Sequence, residues 1–282
     1  MKVFFRPELA TSRPDPASPS AHKPALVVAD WLRRGLIAPD DVLGFEPVTR
    51  DDFKLAHDPR FVDDIYSLRH PNGYGNVDPE LLATLPYTTG SLLAAAHHAL
   101  ATHEAVCSPT SGYHHAHHGF AGGFCTFNGL IVTALKLHQA GLVQSVGILD
   151  LDMHYGDGTD ELIRHHRLDW IIHETQGRHF HTRADIGRHG AFYFEWLEQA
   201  LDRVAACDIV LYQASVDPHV RDPLGGLLDE GELQRRDLAV FRHLRGRPLV
   251  WNLAGGYQLD PWGRIDPVLR LHRNTARACL SA

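Results

Sequence analysis

Hydrophobic positions along this chain recur with two different periods, and the switches between them predict its layout. Four apolar runs in the second half, SVGILD, LDWIIH, DIVLYQ and PLVWNLAGG, are bounded by polar or glycine residues and rich in Val, Ile, Leu and Trp. Each is too short for an ordinary helix, so they read as strands buried on both faces. Helically spaced apolar residues fill the gaps: FNGLIVTALKLHQAG ahead of the first run, FYFEWLEQALDRVAA ahead of the third and DEGELQRRDLAVFRHL ahead of the fourth. In the first half the same spacing runs from Ala25 to Leu36, through DDFKLAHDPRFVDDIYSLR, and from the Ser/Thr-Gly start of TTGSLLAAAHHALATHEA. Strands alternating with helices predict an α/β fold with a parallel sheet covered on both sides. A length of 282 residues without a low-complexity linker suits a single domain over 1–282. Two segments read as loops. RPDPASPSAHKP, from Arg13 to Pro24, is placed to rim a pocket, and HPNGYGNV, between Arg69 and Asp78, has the composition of a mobile surface loop.

The polar residues of interest follow the apolar runs directly: Asp150, Asp152 and His154 after SVGIL, His173 after WII, Asp217 after IVLYQAS and Tyr257 after VWNLAGG. They fall at the carboxyl ends of strands, the edge where open parallel α/β sheets bind ligands.

The segment DLDMHYGDGT, Asp150 to Thr159, gathers Asp150, Asp152, His154 and Asp157 at one strand end. Crowded carboxylates repel one another, and a divalent cation would reverse that electrostatics. Alternation along an extended chain would put Asp150, Asp152 and His154 on one side. An Asp and a His do not close a zinc site by themselves. QASVDPHVRDPLGG offers the missing ligand in Asp217, with Asp222 and His219 open on spacing alone; the competing readings are an Asp-rich turn with Gly156 and Gly158 for the first segment and a plain Asp-Pro turn for this one. GYHHAHHGFAGGFCTFN carries four histidines in five residues. Adjacent histidines suit general acid and base work when carboxylates fix their tautomers, and Asp150 and Asp157 are the candidates. A histidine-rich metal-scavenging loop is the alternative. In NLAGGY, Gly255 and Gly256 let the backbone approach a ligand, and the Tyr257 hydroxyl suits donation to an oxyanion.

Composition narrows the function classes. The formal net charge is -7 and Lys and Arg are not clustered, which argues against a nucleic-acid surface and leaves room for a cationic substrate. Cys107, Cys125, Cys207 and Cys279 form no CxxC pair, so neither a disulfide framework nor a thiolate zinc site is expected. The start MKVFFRPELA lacks the apolar core of a signal peptide, and no run approaches the roughly 18 apolar residues of a membrane span. A cytoplasmic protein with no membrane partner is the expectation. The 21 histidines exceed what packing needs.

In this order, GYHHA, GGFCTFN, DLDMHYGDG, the segment from Asp217 to Asp222 and LAGGY resemble the successive motifs of the zinc-dependent histone deacetylase and acetylpolyamine amidohydrolase family, over about His22 to Asp266. The resemblance implies an arginase-deacetylase fold, with about eight parallel strands between helices and one zinc ion at their carboxyl edge. It implies Asp152, His154 and Asp217 as zinc ligands, His114 and His115 as the tandem catalytic histidines, Asp150 and Asp157 as their acidic partners, and Tyr257 as the catalytic tyrosine. Gly123, Phe124, Phe180, Leu224, Gly255 and Gly256 would line the substrate channel, and a monovalent cation such as K+ would sit near Asp150, Asp152 and His154.

The chain departs from the family pattern in places. Ser108-Pro109-Thr110-Ser111 replaces an Arg-Pro-Pro before the tandem histidines, and Gly129 replaces a second Asn after Phe127-Asn128. Ile171-Ile172-His173 stands where many members have Ser-Leu-His, and the loop from Arg178 to Arg188 lacks Tyr-Pro-Gly-Thr-Gly. The expected activity is removal of an acyl group from an acyl-lysine peptide or protein. Small acylated amines such as acetylpolyamines are the main rival, although those enzymes generally carry an insertion for which this chain has little room. An arginase-like ureohydrolase would need further ligands. A non-catalytic acyl-lysine-binding module would have no need of His114, His115 and Tyr257, and a histidine-rich zinc store would show several weak sites.

Overall fold

A computed structural model describes residues 1–15 and 18–282; Pro16 and Ala17, inside the Pro- and Ser-rich segment, lie outside the described residues. Seven strands, β1 (Val3–Phe4), β2 (Val42–Leu43), β3 (Ala105–Ser108), β4 (Val146–Asp150), β5 (Ile171–Thr175), β6 (Ile209–Gln213) and β7 (Leu249–Asn252), form one parallel sheet in the order β2-β1-β3-β7-β6-β4-β5. The sheet therefore has seven strands among the described residues where about eight were expected. The four apolar runs are β4 to β7. The first three strands carry no periodicity to read, because β1 and β2 have two residues each and owe their identity to partners, Val3 pairing with both Val42 and Cys107.

The helices are α1 (Lys23–Arg33), α2 (Arg50–Phe53), α3 (Pro59–Tyr66), α4 (Pro79–Thr102), α5 (Gly129–Gln139), α6 (Asp157–His166), α7 (Ala191–Val204), α8 (Glu230–His243) and α9 (Asp266–Ser281). Strand residues alternate between two cores: Val146 and Ile148 join Phe53, Leu92, Leu130 and Leu162 of α2 and α4 to α6, whereas Leu149 joins Trp31, Leu197, Val240 and Val268 of α1 and α7 to α9. This is the period of two expected for a sheet buried on both faces.

Local chemistry set several boundaries that periodicity did not. The pattern DDFKLAHDPRFVDDIYSLR breaks into α2 and α3, because Pro59 opens a new helix whose N-cap Asp58 accepts from the Arg60 and Phe61 N–H groups. Helix α4 starts at Pro79, capped by Asp78, well ahead of the Thr-Gly start, and continues through Pro86. At α8 the Asp229 and Glu232 side chains accept reciprocally from each other's N–H groups, a capping box. The segment HPNGYGNV is a surface loop with Pro71, Gly75 and Val77 exposed, but its middle is packed. Asn72 and Gly73 are buried, the Gly73 N–H donates to Thr126 Oγ1 (3.0 Å), and the Phe124 N–H donates to Gly73 O (2.9 Å).

The register positions the site. Ser108, Asn252, Gln213, Asp150 and Thr175 stand in one row across the carboxyl ends of β3, β7, β6, β4 and β5. Their side chains are buried, so each needs a partner. Asn252 Nδ2 donates to Gln213 Oε1 (3.1 Å) and Gln213 Nε2 to Asp150 Oδ1 (3.3 Å), a polar floor above the apolar sheet. Adjacent strands β4 and β6 send their onward connections in opposite directions, to β5 and to β7. The crevice between their carboxyl ends is the topological switch point.

Candidate metal and catalytic site

Two loops enter that crevice, one after β4 with Asp152 and His154, the other after β6 with Asp217. Their ligand atoms lie within 4.8 Å of one another. His154 Nδ1 is 3.2 Å from Asp152 Oδ1 and 3.3 Å from Asp217 Oδ2. Strand β4 ends at Asp150 and the chain then bends, so Asp150, Asp152 and His154 do not share one extended run. Asp150 stands beneath the cluster, facing His114.

The donor set fits a divalent cation. Asp217 is fully buried; its Oδ1 accepts from Ser215 Oγ and the Met153 N–H, while its Oδ2 has no well-aligned donor among the described residues, the His154 Nδ1 standing 3.3 Å away. Burial and the neighbouring Asp152 charge push its carboxyl up to about 6. His154 is driven up to about 10 by Asp152 and then Asp217, the imidazole serving as the nearest positive charge. A Cβ on Gly255 would sit 2.3 Å from Asp217 Oδ2 and 2.8 Å from Asp152 Oδ2, so only glycine leaves the space between the carboxylates open. Two Asp and one His as hard-to-borderline donors, with room for a further ligand, match the donor chemistry of a catalytic zinc site.

The tandem histidines stand beside it, ring centroids 4.1 Å apart. His114 Nδ1–H donates to Asp150 Oδ2 (2.8 Å) and His115 Nδ1–H to Asp157 Oδ1 (2.7 Å). Each carboxylate thereby fixes a tautomer, leaving Nε2 toward the cleft. Asp157 opens α6 and also accepts from the Gly158 N–H, a helix N-terminus that favours its negative charge. The two environments separate the pair. Burial would lower His114, but Asp150 and Asp152 raise it to about 9, whereas burial and the His114 charge lower His115 despite Asp157. A proton-holding histidine beside an unprotonated one is an acid and base pair near neutral pH.

Tyr257 follows β7 and is held protonated, its hydroxyl raised well above the usual range by burial and the charges of Asp217 and Asp152. Its ring lies 5.7 Å from Phe124, and both line a largely apolar cavity with Pro19, Pro223, Leu224 and Ile265. Gly123 and Phe124 both have positive φ, and a Cβ on Gly123 would strike the His115 ring at 2.4 Å. Gly256, at φ +147°, packs where a Cβ would meet Val216. Phe180 is not brought to this cavity: it is buried in the core against Tyr193 and Trp196.

The family departures have local consequences. Ser111 joins Tyr74, Phe124 and Cys125 around a small inner cavity, which is thus lined without an arginine. Gly129 starts α5 where a Cβ would lie 2.5 Å from the Tyr113 ring, so the second Asn would not fit. Asn128 caps that helix through the Ile131 N–H and donates to Thr159 Oγ1. His173 Nδ1–H donates to Asp160 Oδ1 (2.7 Å), with Nε2 3.8 Å from Asp150 Oδ2.

Sequence reasoning missed two supporting residues, Arg236 and Lys23, and left the role of a third, Asp222, open. Arg236, on α8 and fully buried, donates to the carbonyls of Leu151 and Ser215 and pairs with Asp237, tying both ligand loops together. Lys23 Nζ, also fully buried, donates to Ala254 O (2.5 Å) beneath the tyrosine loop, and burial lowers it to about 8 against the pull of Asp217, Asp152 and Asp222. Asp222, an open alternative for the third ligand, instead accepts from the Tyr257 and Gln258 N–H groups. Charged residues placed inside helical patterns, like Arg236, were the only available signal.

Residues 19–180 match the family model described as histone deacetylase domain. An uncharacterized protein of Picosynechococcus is 28% identical over 96% of this chain and 97% of its own length. The acetoin utilization protein AcuC of Staphylococcus aureus is 32% identical over 42% of this chain and only 36% of its own, and histone deacetylase 2 of Arabidopsis thaliana is 32% identical over 52% of this chain and 42% of its own. Among solved structures, the HD domain of HDA15 superposes with TM-score 0.73 at 20% identity, covering 99% of this chain and 86% of that one. An acetylpolyamine aminohydrolase from Burkholderia pseudomallei superposes with TM-score 0.71 at 19% identity, covering 99% and 98%.

Proposed function

The chain belongs to the histone deacetylase family, and we propose that it is a zinc-dependent amidohydrolase removing an acyl group, most readily acetyl, from the ε-amine of acyl-lysine. The observation that carries this is the convergence of the buried Asp217 and Asp152 carboxylates with His154, beside a histidine pair whose surroundings hold a proton on His114 and keep one off His115.

Zinc held by Asp152, His154 and Asp217 would polarise the amide carbonyl and lower the pKa of water at the same position. His115, the less basic ring and therefore the one left unprotonated near neutral pH, takes the proton as water adds to the carbonyl carbon. The Tyr257 hydroxyl donates to the carbonyl oxygen as negative charge develops there, a contribution of roughly 3 to 4 kcal/mol for a well-placed donor. The C–N bond then breaks, the amine leaving with a proton from an imidazolium, His115 or His114. Asp150 and Asp157 hold the two rings in place. The apolar walls at Phe124 and Leu224 suit the methylene stem of lysine. A monovalent cation near Asp150, Asp152 and His154 belongs to the proposal as a family trait and carries no step of it.

Near-complete overlap with an acetylpolyamine aminohydrolase favours a small acylated amine as the second reading. The discriminating experiment measures amine release by the zinc-loaded chain from acetyl-lysine peptides, longer acyl-lysine peptides and acetylated polyamines. Faster turnover of the peptides supports the lysine reading, turnover of polyamines alone replaces it, and no turnover of any acylated amine with one zinc tightly bound sinks the hydrolase proposal.

A further inference from the structure

The histidine motif is only half used by the cleft, and its remainder meets a second histidine pair. We propose that His118, His165 and His166 form a separate site for a borderline divalent metal such as Zn2+. One ring nitrogen of each lies within 4.8 Å of those of the other two. His118 ends the loop that carries His114 and His115, and His165 and His166 close α6. The His118 and His165 rings stack at 3.8 Å, and His166 stands nearly perpendicular to His118 at 5.4 Å.

The backbone already orients two of the rings. Ala56 O is 3.0 Å from His118 Nδ1 and 2.7 Å from His166 Nε2. A carbonyl only accepts, so both of these nitrogens carry protons and the lone pairs are on His118 Nε2 and His166 Nδ1. Metal-ligating histidines are commonly held this way, one nitrogen donating to a carbonyl while the other binds. Nitrogens on a tetrahedral zinc are about 3.4 Å apart, from bonds of about 2.1 Å. The two nitrogens that converge on Ala56 O are the protonated ones, so a bound metal would turn the rings to bring the free nitrogens together; the exposed His165, stacked on His118, has the freedom to follow, with water as the fourth ligand. An all-imidazole set favours zinc, copper or nickel over magnesium or calcium.

The placement gives the site a task. Helix α6 touches the tandem-histidine loop at both ends, through Asp157 and His115 at its start and through His165, His166 and His118 at its finish. A metal at the trio would pin the far end of a helix whose near end orients His115.

The test counts metal and does not depend on deacylation. Co2+ or Zn2+ is titrated into the metal-free full chain, read by calorimetry and by the visible spectrum of Co2+, for the parent protein, His165→Ala, His165→Gln and Asp217→Asn. Two equivalents in the parent, one in each His165 variant, and one in Asp217→Asn that disappears when His165→Ala is added are expected. A parallel thermal scan should show zinc raising the Tm of Asp217→Asn but not of the Asp217→Asn/His165→Ala double variant. One equivalent in the parent, or two retained in either His165 variant, overturns the proposal.

Discussion

Asp222 holds the backbone of Tyr257: its Oδ2 accepts from the Tyr257 N–H at 2.7 Å and from the Gln258 N–H at 3.0 Å, while its Oδ1 accepts from the Leu224 N–H. The loop that delivers Asp217 thus also positions the loop that delivers the tyrosine. Asp222→Ala is expected to lower kcat by about 10² through misplacement of the hydroxyl, with zinc affinity little changed. Asp222→Asn, which keeps an acceptor oxygen, should recover part of the loss. Steady-state kinetics beside a zinc titration checks both, and parallel loss of metal would instead make Asp222 a ligand.

Tyr257→Phe removes the proposed oxyanion donor while leaving the ring. A fall of about 10² to 10³ in kcat with one zinc still bound at the cleft is expected. Unchanged turnover would remove the tyrosine from the chemistry.

Gly255→Ala is expected to abolish metal binding at the cleft, because the added Cβ would stand 2.3 Å from Asp217 Oδ2. Gly255 does not have a positive φ, so the cause is steric rather than conformational. Equilibrium dialysis against zinc, with near-UV circular dichroism as the folding control, measures it. Parent-like affinity would mean that the carboxylates do not converge on a cation.

Arg236→Met leaves Asp237 buried with Tyr212 OH and Thr275 Oγ1 as its side-chain donors among the described residues. Losing one partner of a buried ion pair costs about 3 to 5 kcal/mol, and here it also frees the carbonyls of Leu151 and Ser215. Urea unfolding at neutral pH should show a drop of that size. Arg236→Met with Asp237→Leu should restore much of it, since the orphaned charge is then gone.

His57 supplies a pH dependence that does not pass through Asp152, His154 or Asp217. It is fully buried; its Nδ1–H donates to His117 O and its Nε2 accepts from the Asn128 N–H, so only the neutral ring satisfies both. Burial lowers it to about 3, below its ordinary 6.5. The unfolded chain therefore binds the extra proton first: the stabilisation is complete above about pH 6.5 and is lost as pH falls from there toward 3, by roughly 5 kcal/mol in full. Stability measured by urea from pH 7 to pH 4 should fall more steeply in the parent than in His57→Gln. Equal slopes would show that His57 is not kept neutral by the fold.

The sequence by itself determined the α/β class, the four central strands and the residues with chemistry at their ends, because apolar period and strand-end polar groups are local properties. Order along the chain was enough to associate Asp152, His154 and Asp217 with His114, His115 and Tyr257. Spacing alone did not separate Asp217 from Asp222, which differ in where a loop turns: one carboxylate faces the cluster and the other faces backbone N–H groups. Nor did it reveal β1 to β3, whose residues are strands only because neighbours pair with them. Tertiary structure alone decided that HPNGYGNV packs as a wall beside Phe124, that Phe180 belongs to the core, and that Arg236 and Lys23 brace the site. Each of these depends on contacts between residues far apart in sequence, and burial gives a charge or a loop its meaning only once the opposing surface is in place.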